Sequence, residues 1–179
     1  MTTENDWIKI DISDDMLKEA EENVKKYNNF NIFGGGYNQK LVGEIGRLAL
    51  RKFLDKNKIV YEEDTHIGSK DEFDFIINGK NVSLKSQLLN FHCLTKYRCE
   101  VNEKQLNNSC DYYLFTKVCL KEKITLLVGC ITKERFDKEG TLRKKGEILS
   151  DNFTSKPIKE NKKDLTISDL DLIEKIYKK

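Results

Sequence analysis

An Asn-Gly dipeptide between two apolar runs is the strongest constraint on how this chain folds. Asn78 and Gly79 separate residues 73–77 from residues 82–85. This dipeptide favours the two-residue turn of a β-hairpin, because both turn positions need positive φ angles and Asn and Gly accept them most readily. The two runs are therefore predicted to be paired antiparallel strands, whose register is set by the length of the turn.

The register of this hairpin brings three polar side chains to one face of the sheet. A two-residue turn sets Asp74 opposite Ser83. Lys85 shares the face of Ser83, because side chains two apart in a strand point the same way. A carboxylate beside a lysine suits Mg²⁺-dependent phosphodiester cleavage, in which the acid holds a hard cation and the ammonium activates water or stabilises the phosphate. The alternative is an exposed sheet face that happens to carry an Asp and a Lys.

Helices and further strands are predicted on both sides of the hairpin. Ser13 is a candidate N-cap for a first helix, and apolar residues recur at helical spacing over about residues 38–56. Ser168 is a candidate N-cap for a final helix, with Asp171 three residues later. Extended apolar runs predict strands at residues 8–12, 59–61, 112–115 and 124–128. This order of elements indicates a mixed α/β fold.

Length and composition favour one soluble domain with a short N-terminal appendage. The chain has 179 residues, of which 38% are apolar and 35% are charged. Gly34, Gly35 and Gly36 predict a flexible link between a helical arm, residues 1–35, and a main domain, residues 36–179. Neither a long apolar run nor a signal peptide pattern is found, so we expect a cytoplasmic protein with no membrane partner.

Cysteine usage and charge distribution narrow the class of protein further. The five cysteines are odd in number and form no Cys-x-x-Cys pair, so we expect reduced thiols rather than a disulfide framework or a zinc site. The formal net charge is −3 over residues 1–90 and +5 over residues 91–179. The second half is therefore the expected side for contact with phosphates, although a lysine-rich composition alone would also produce this excess.

Two segments of the chain resemble the PD-(D/E)XK nuclease superfamily. They are Gly-Glu-Ile-Gly-Arg-Leu-Ala at residues 43–49 and the hairpin sequence FDFIINGKNVSLK at residues 73–85. The family pattern is a helix bearing Glu, then Asp at a strand end, then (Asp/Glu)-x-Lys on the next strand. The resemblance covers about residues 36–111. It implies a restriction endonuclease-like fold, with a mixed central sheet flanked by helices, and a DNA endonuclease that uses Mg²⁺ or Mn²⁺.

The resemblance assigns roles to four residues. Asp74 would be the principal metal ligand and Lys85 the catalytic lysine. Glu44 would be the helix carboxylate that reaches the metal, directly or through water. Leu84 would offer its backbone carbonyl as a further ligand, which needs no particular side chain.

Ser83 departs from the family pattern, because it stands where the family has Asp or Glu. Losing that charge weakens affinity for a divalent cation unless another carboxylate replaces it. Some restriction endonucleases with Ser at this position recruit a Glu from a following helix, and Glu100 or Glu103 would be that residue here. The alternative is a weakened or inactive site, in a member of the fold that serves as a DNA- or protein-binding module.

The remaining candidates concern substrate and partners. Gln87 and Gln105 resemble positions that touch the phosphate or the metal-bound water in related nucleases. A polyanionic substrate also needs cations along its backbone. DNA is the expected partner, and a homodimer is expected through the N-terminal arm; an accessory protein of a phage or mobile element is a further alternative. The candidates for backbone contacts are Arg98, Lys104, Arg135, Arg143, Lys144 and Lys145.

Overall fold

The structure of the protein is a computed structural model that describes residues 2–28, 36–64, 73–90, 92–148 and 157–178. Its helices are α1 (Asp14–Asn28), α2 (Tyr37–Lys56), α3 (Lys133–Glu139) and α4 (Glu174–Tyr177). Its strands are β1 (Ile8–Asp11), β2 (Tyr61–Glu63), β3 (Phe75–Ile77), β4 (Lys80–Leu88), β5 (Arg98–Asn102), β6 (Tyr112–Cys119), β7 (Ile124–Thr132), β8 (Thr141–Arg143) and β9 (Lys162–Thr166).

The strands form two sheets. The larger has the spatial order β1-β7-β6-β4-β3-β2, and the smaller has the order β5-β9-β8. β4 and β6 run parallel, whereas the other paired strands are antiparallel. The predicted mixed α/β class is therefore confirmed.

The hairpin of β3 and β4 has the predicted register. Ile77 pairs with Lys80 across the turn, and Phe75 pairs with Val82. Asn78 and Gly79 have φ angles of 51° and 75°, as the mirror-image hairpin turn requires. This turn is why the local sequence alone determines which residues of the two strands face each other.

Helix α2 covers one face of the larger sheet. Its buried side includes Ile45, Ala49 and Leu50, none of which is exposed. Gly46 allows the closest approach, because a Cβ built there would lie 2.0 Å from Ser86 Oγ on β4 and 2.9 Å from Thr116 Oγ1 on β6. The absence of a side chain at this position sets how near α2 lies to the centre of the sheet.

The N-terminal segment shares the core of the main domain. β1 pairs with β7 at one edge of the larger sheet, and Ala20 and Val24 of α1 are fully buried in the same apolar cluster as α2. The predicted cap of α1 is confirmed, since Met16 N donates to Ser13 Oγ at 3.2 Å. Of the predicted glycine link, Gly34 and Gly35 lie outside the described residues, and Gly36 is the N-cap of α2.

The prediction for the C-terminal helix was wrong in position and length. Thr166 and Asp169 form the capping box, and a 3₁₀ turn follows. Asp171 instead forms a β-bridge with Cys130 and accepts a hydrogen bond from Arg135. These contacts hold the chain extended at Asp171, so the helix begins only at Glu174. β2 also begins two residues later than predicted.

Two further predictions concern chemical environment. The five cysteines are free and buried: Cys93, Cys99, Cys110, Cys119 and Cys130. Over the described ranges, no helix is long and apolar enough to span a membrane.

The two glycines of α2 provide a test of this packing. We expect Gly46→Ala to lower the free energy of unfolding by about 1–3 kcal/mol, because the added methyl group would overpack the contact with Ser86 and Thr116. Gly43→Ala is the control: among the described residues, no atom outside the neighbouring helix backbone lies within 4 Å of its Cβ position, so the better helix propensity of Ala should stabilise the protein by up to about 1 kcal/mol. Urea denaturation measures both, and equal stability of the two variants would contradict the packing.

Candidate active site at the open edge of β4

A cleft follows the part of β4 that extends beyond β3. β3 pairs with β4 only between Ile77↔Lys80 and Phe75↔Val82, while β6 pairs with β4 as far as Leu88. The cleft has a volume of about 630 Å³ along this edge. The first turn of α2 forms one wall, and β5 with the 3₁₀ helix Glu103–Gln105 forms the other.

Asp74 lies directly before the first residue of β3, where the open edge of β4 begins. Its Oδ2 accepts a hydrogen bond from Leu84 N at 2.6 Å and lies 3.3 Å from Ser83 Oγ, which donates to it. The carboxylate therefore accepts the hydrogen bond of an N–H group of β4 that lies beyond the residues paired with β3. Ser83 is only 2% exposed, so its hydroxyl supports Asp74 from beneath rather than facing solvent.

The backbone of Leu84 adds a second oxygen at the same place. The N–H and C=O groups of one strand residue point to the same side of the strand. Since Leu84 N–H points to Asp74, the Leu84 carbonyl also points to the open edge. Asp74 and Leu84 thus offer oxygen donors of two kinds to the cleft.

Lys85 lies beside these groups against an aromatic ring. Its Nζ is 5.9 Å from the centre of the Tyr113 ring. Loss of hydration in this environment lowers the pKa of Lys85, although the negative charge of Asp74 opposes the shift. Lys85 therefore releases its proton more readily than an ordinary lysine, which suits a group that exchanges protons.

The structure distinguishes the two candidate acids of the second wall. Glu100 lines the cleft and forms an ion pair with Lys162. Glu103 does not line it, and its Oε2 accepts a hydrogen bond from Asn161 at 3.0 Å. Glu100 lies on strand β5 and not on a helix, so the acid reaches the cleft from a different kind of element than the resemblance implied.

Glu44, the predicted helix carboxylate, lies away from the cleft. It is 5% exposed and accepts hydrogen bonds from Asn23 of α1 and from Arg47. Val42 lines the cleft and Gly46 packs on β4. Each is two residues from Glu44, and two residues rotate a helix position by about 200°. Glu44 therefore faces α1, and its carboxylate joins the two helices.

The candidate nucleic-acid contacts fall into three groups. Gln87 and Gln105 line the cleft. Three arginines form ion pairs within the protein: Arg98 with Asp164, Arg135 with Asp171 and Glu139, and Arg143 with Asp164 and Glu147. The exposed lysines are Lys104, Lys144 and Lys145.

These exposed lysines lie next to the second wall of the cleft. Asn161 links the segment that contains Lys144 and Lys145 to the 3₁₀ helix Glu103–Gln105. Its side chain accepts a hydrogen bond from Lys145 N at 2.8 Å and donates one to Glu103. Lys104 is in the same 3₁₀ helix as Gln105. The wall formed by the smaller sheet thus carries positive charge beside the cleft.

Sequence reasoning missed several polar residues of the cleft. Asn38 and Gln39 in the first turn of α2 and Asn102 at the end of β5 all line it. The rarity of glutamine in this chain, with Gln39 one of three, is a signal that could have identified one of them. Asn38 and Asn102 have no comparable signal, because asparagine is common throughout the sequence.

The oxygen ligands at the cleft suit a hard cation that is coordinated by only a few protein groups. Over the described ranges, no group of three or more His, Cys, Asp or Glu side chains is placed to hold a metal. Mg²⁺, however, usually keeps several waters and binds through one or two carboxylates and substrate phosphates. Asp74, Glu100 and the Leu84 carbonyl supply that kind of oxygen set and no soft ligand.

Comparisons with protein-family models, curated proteins and solved structures find no match for this chain. The resemblance to a nuclease family therefore rests on the residues of this chain alone.

Lys85 offers a test of the electrostatics of this site. A lysine whose pKa is lower in the folded than in the unfolded protein opposes folding fully below both pKa values, and the penalty disappears as pH rises past the ordinary lysine value. We therefore expect Lys85→Met to raise Tm at neutral pH, by the equivalent of about 0.5–2 kcal/mol, with a gain that shrinks at high pH.

The control is Lys80→Met on the same strand. Lys80 also lies over a tyrosine, 5.2 Å from the centre of the Tyr112 ring, and donates to the Lys175 carbonyl. Replacing Lys80 by Met removes this hydrogen bond, so we expect no rise in Tm. Thermal denaturation over a pH series measures both variants, and a lower Tm for Lys85→Met at neutral pH would make Lys85 a stabilising residue.

Proposed function

We propose that this protein is a metal-dependent endonuclease that hydrolyses phosphodiester bonds of DNA with Mg²⁺ or Mn²⁺, in the manner of the PD-(D/E)XK superfamily. The observation that carries the proposal is the meeting of Asp74, Lys85 and Glu100 in one cleft. They come from different elements, and Glu100 is remote from the hairpin in sequence. All three side chains line the cleft beside the part of β4 that extends beyond β3.

The order of elements supports a restriction endonuclease-like fold. Helix α2 is followed by the antiparallel strands β2, β3 and β4, and β6 then adds in parallel beside β4. The Asp and the Lys of the family pattern fall at the end of one strand and in the middle of the next. This is the arrangement that the resemblance implies.

Each residue of the cleft has a proposed task. Asp74 and Glu100, with the Leu84 carbonyl, hold the cation, which when bound polarises the phosphodiester and lowers the pKa of a bound water. Lys85 accepts the proton of the attacking water, for which its lowered pKa is suited. Ser83 keeps Asp74 in place through its hydroxyl. The exposed lysines of the second wall attract the polyanionic substrate.

A DNA-binding module without catalysis is the second candidate. Two observations favour it: Lys162 already pairs with Glu100, and Glu44 is directed at α1. In that case the cleft and its lysines would bind DNA and leave it intact. We also propose a cytoplasmic location and a homodimer. Because α1 packs on α2 and β1 pairs with β7, a second copy would have to contact the outer surface of the N-terminal segment.

We expect Asp74→Asn to lower the rate of Mg²⁺- or Mn²⁺-dependent DNA cleavage by about 10²-fold or more, because it removes the charge that holds the cation. Asn is the suitable replacement, since its amide oxygen still accepts the Leu84 N–H bond, whereas Ala would leave that group unpaired. Cleavage of plasmid, linear and branched DNA is the measurement, with chelation of the metal as a control. Wild-type activity in this variant would remove Asp74 from the site.

The two glutamates provide a matched pair. We expect Glu100→Gln to reduce divalent-dependent cleavage by about 10-fold or more, because the second carboxylate of the cleft is lost. Glu103→Gln should cleave like the wild type, since this side chain lies outside the cleft. If Glu103→Gln slowed cleavage and Glu100→Gln did not, Glu100 would not be the second acid of the site. DNA binding without any cleavage in the wild type would favour the binding module.

A further inference from the structure

The use of glutamine in this chain is concentrated at the cleft. The sequence contains three glutamines, Gln39, Gln87 and Gln105, and all three line the cleft of about 630 Å³. Gln39 lies on the α2 wall, Gln87 on the β4 floor, and Gln105 on the opposite wall. Charged residues make up 35% of this chain, yet the cleft contains all three of its glutamines. This common location indicates a common role.

The central glutamine is held by a buried lysine of the neighbouring strand. Lys117 of β6 pairs in register with Gln87 of β4 and is only 3% exposed. Its Nζ donates to Gln87 Oε1 and, at 2.5 Å, to the Arg98 carbonyl. Over the described ranges, Lys117 has no ion pair with a carboxylate. An ammonium buried with only neutral acceptors is costly to the folded state.

This contact determines which end of the Gln87 amide faces the cleft. A lysine ammonium has three N–H donors and no acceptor, so the amide oxygen must point to Lys117. The NH₂ group of Gln87 is then turned away from Lys117, and it can only donate. An acceptor oxygen of the substrate is therefore the group that fits above Gln87.

The resemblance already implies that Gln87 and Gln105 touch the phosphate; we propose that Gln39 completes with them a clamp of amide donors for the phosphate oxygens of a nucleic acid strand, and that Lys117 is the positioning residue that fixes the central amide. This inference rests on the proposed function. Gln87 follows Lys85 on the same face of β4 at about 6.6 Å along the strand, so it contacts oxygens beside the bond that is cleaved. Neutral donors bind these oxygens without placing another cation beside Lys85 and the metal ligands.

The positioning can be observed directly by NMR of protein labelled with ¹⁵N-glutamine. Three pairs of side-chain NH₂ signals are expected, and Gln39→Ala, Gln87→Ala and Gln105→Ala assign them. Lys117→Met should shift the Gln87 pair and leave the other two in place. Movement of none of the three would overturn the role of Lys117. Circular dichroism and thermal melting check that this variant folds, and Lys117→Arg, which keeps a donor, should retain the wild-type Gln87 signal.

The clamp is tested by adding DNA in Ca²⁺, which occupies an oxygen site while supporting little cleavage. All three glutamine pairs should shift. If wild-type protein cleaves DNA in Mg²⁺ but the glutamine signals stay unmoved, the clamp is wrong and the nuclease proposal stands. If the signals shift and no cleavage occurs, the clamp stands and the enzyme proposal fails. If neither occurs, both fail.

Kinetics separate positioning from a merely structural role. We expect Gln87→Ala to raise KM for DNA about tenfold or more, as for loss of a hydrogen bond to a charged group. Lys117→Met should raise KM severalfold with a smaller change in kcat, and should have no further effect in the Gln87→Ala background. Lys144→Met, an exposed lysine beside the cleft, is the control whose effect should add to that of Gln87→Ala. If the effects of Lys117→Met and Gln87→Ala on KM were additive, Lys117 would not act through Gln87.

Discussion

The hydrogen bond from Leu84 N to Asp74 Oδ2 is the interaction on which the candidate site depends. It lies where β3 ends and β4 continues. A strand that ends early leaves the partner's N–H groups unpaired, and here a carboxylate takes the place of the missing backbone acceptor. The same bond holds Asp74 against β4, with Lys85 one residue further along. A feature of sheet pairing thus positions the charged groups.

The second wall of the cleft depends on a buried ion pair. Asp164 of β9 is fully buried and is paired with Arg98 of β5 and Arg143 of β8. Burial raises the pKa of Asp164, although the two arginines oppose the shift. Because the three residues come from all three strands of the smaller sheet, the network holds that sheet together. Glu100, which pairs in register with Asp164, is thereby brought to the cleft.

The candidate site also illustrates the cost of placing cations in the interior of a sheet. Lys85 and Lys117 lie on neighbouring strands of the same sheet, and both are largely removed from water. Neither position contributes an apolar side chain to the core, and the lowered pKa of Lys85 means that its burial opposes folding. Such residues are expected where substrate binding or proton transfer is selected over stability. The large apolar clusters on both sides of the sheet supply the stability that this requires.

Local sequence by itself determined the hairpin, the two long helices and the pairing of Asp74 with Ser83, because turn chemistry and helical periodicity act over a few residues. Strand alternation also placed Lys85 on the face of Ser83, and the family resemblance added Gln87 on the same face. Tertiary structure alone decided which glutamate joins them. Glu44 and Glu100 are both acidic residues near apolar patterns, and only the packing of α1 on α2 and the pairing of β5 with β9 turn one away and bring the other in. Lys117 escaped notice for the same reason: a lysine in a strand is expected at the surface, and only the assembled sheet buries it over Gln87.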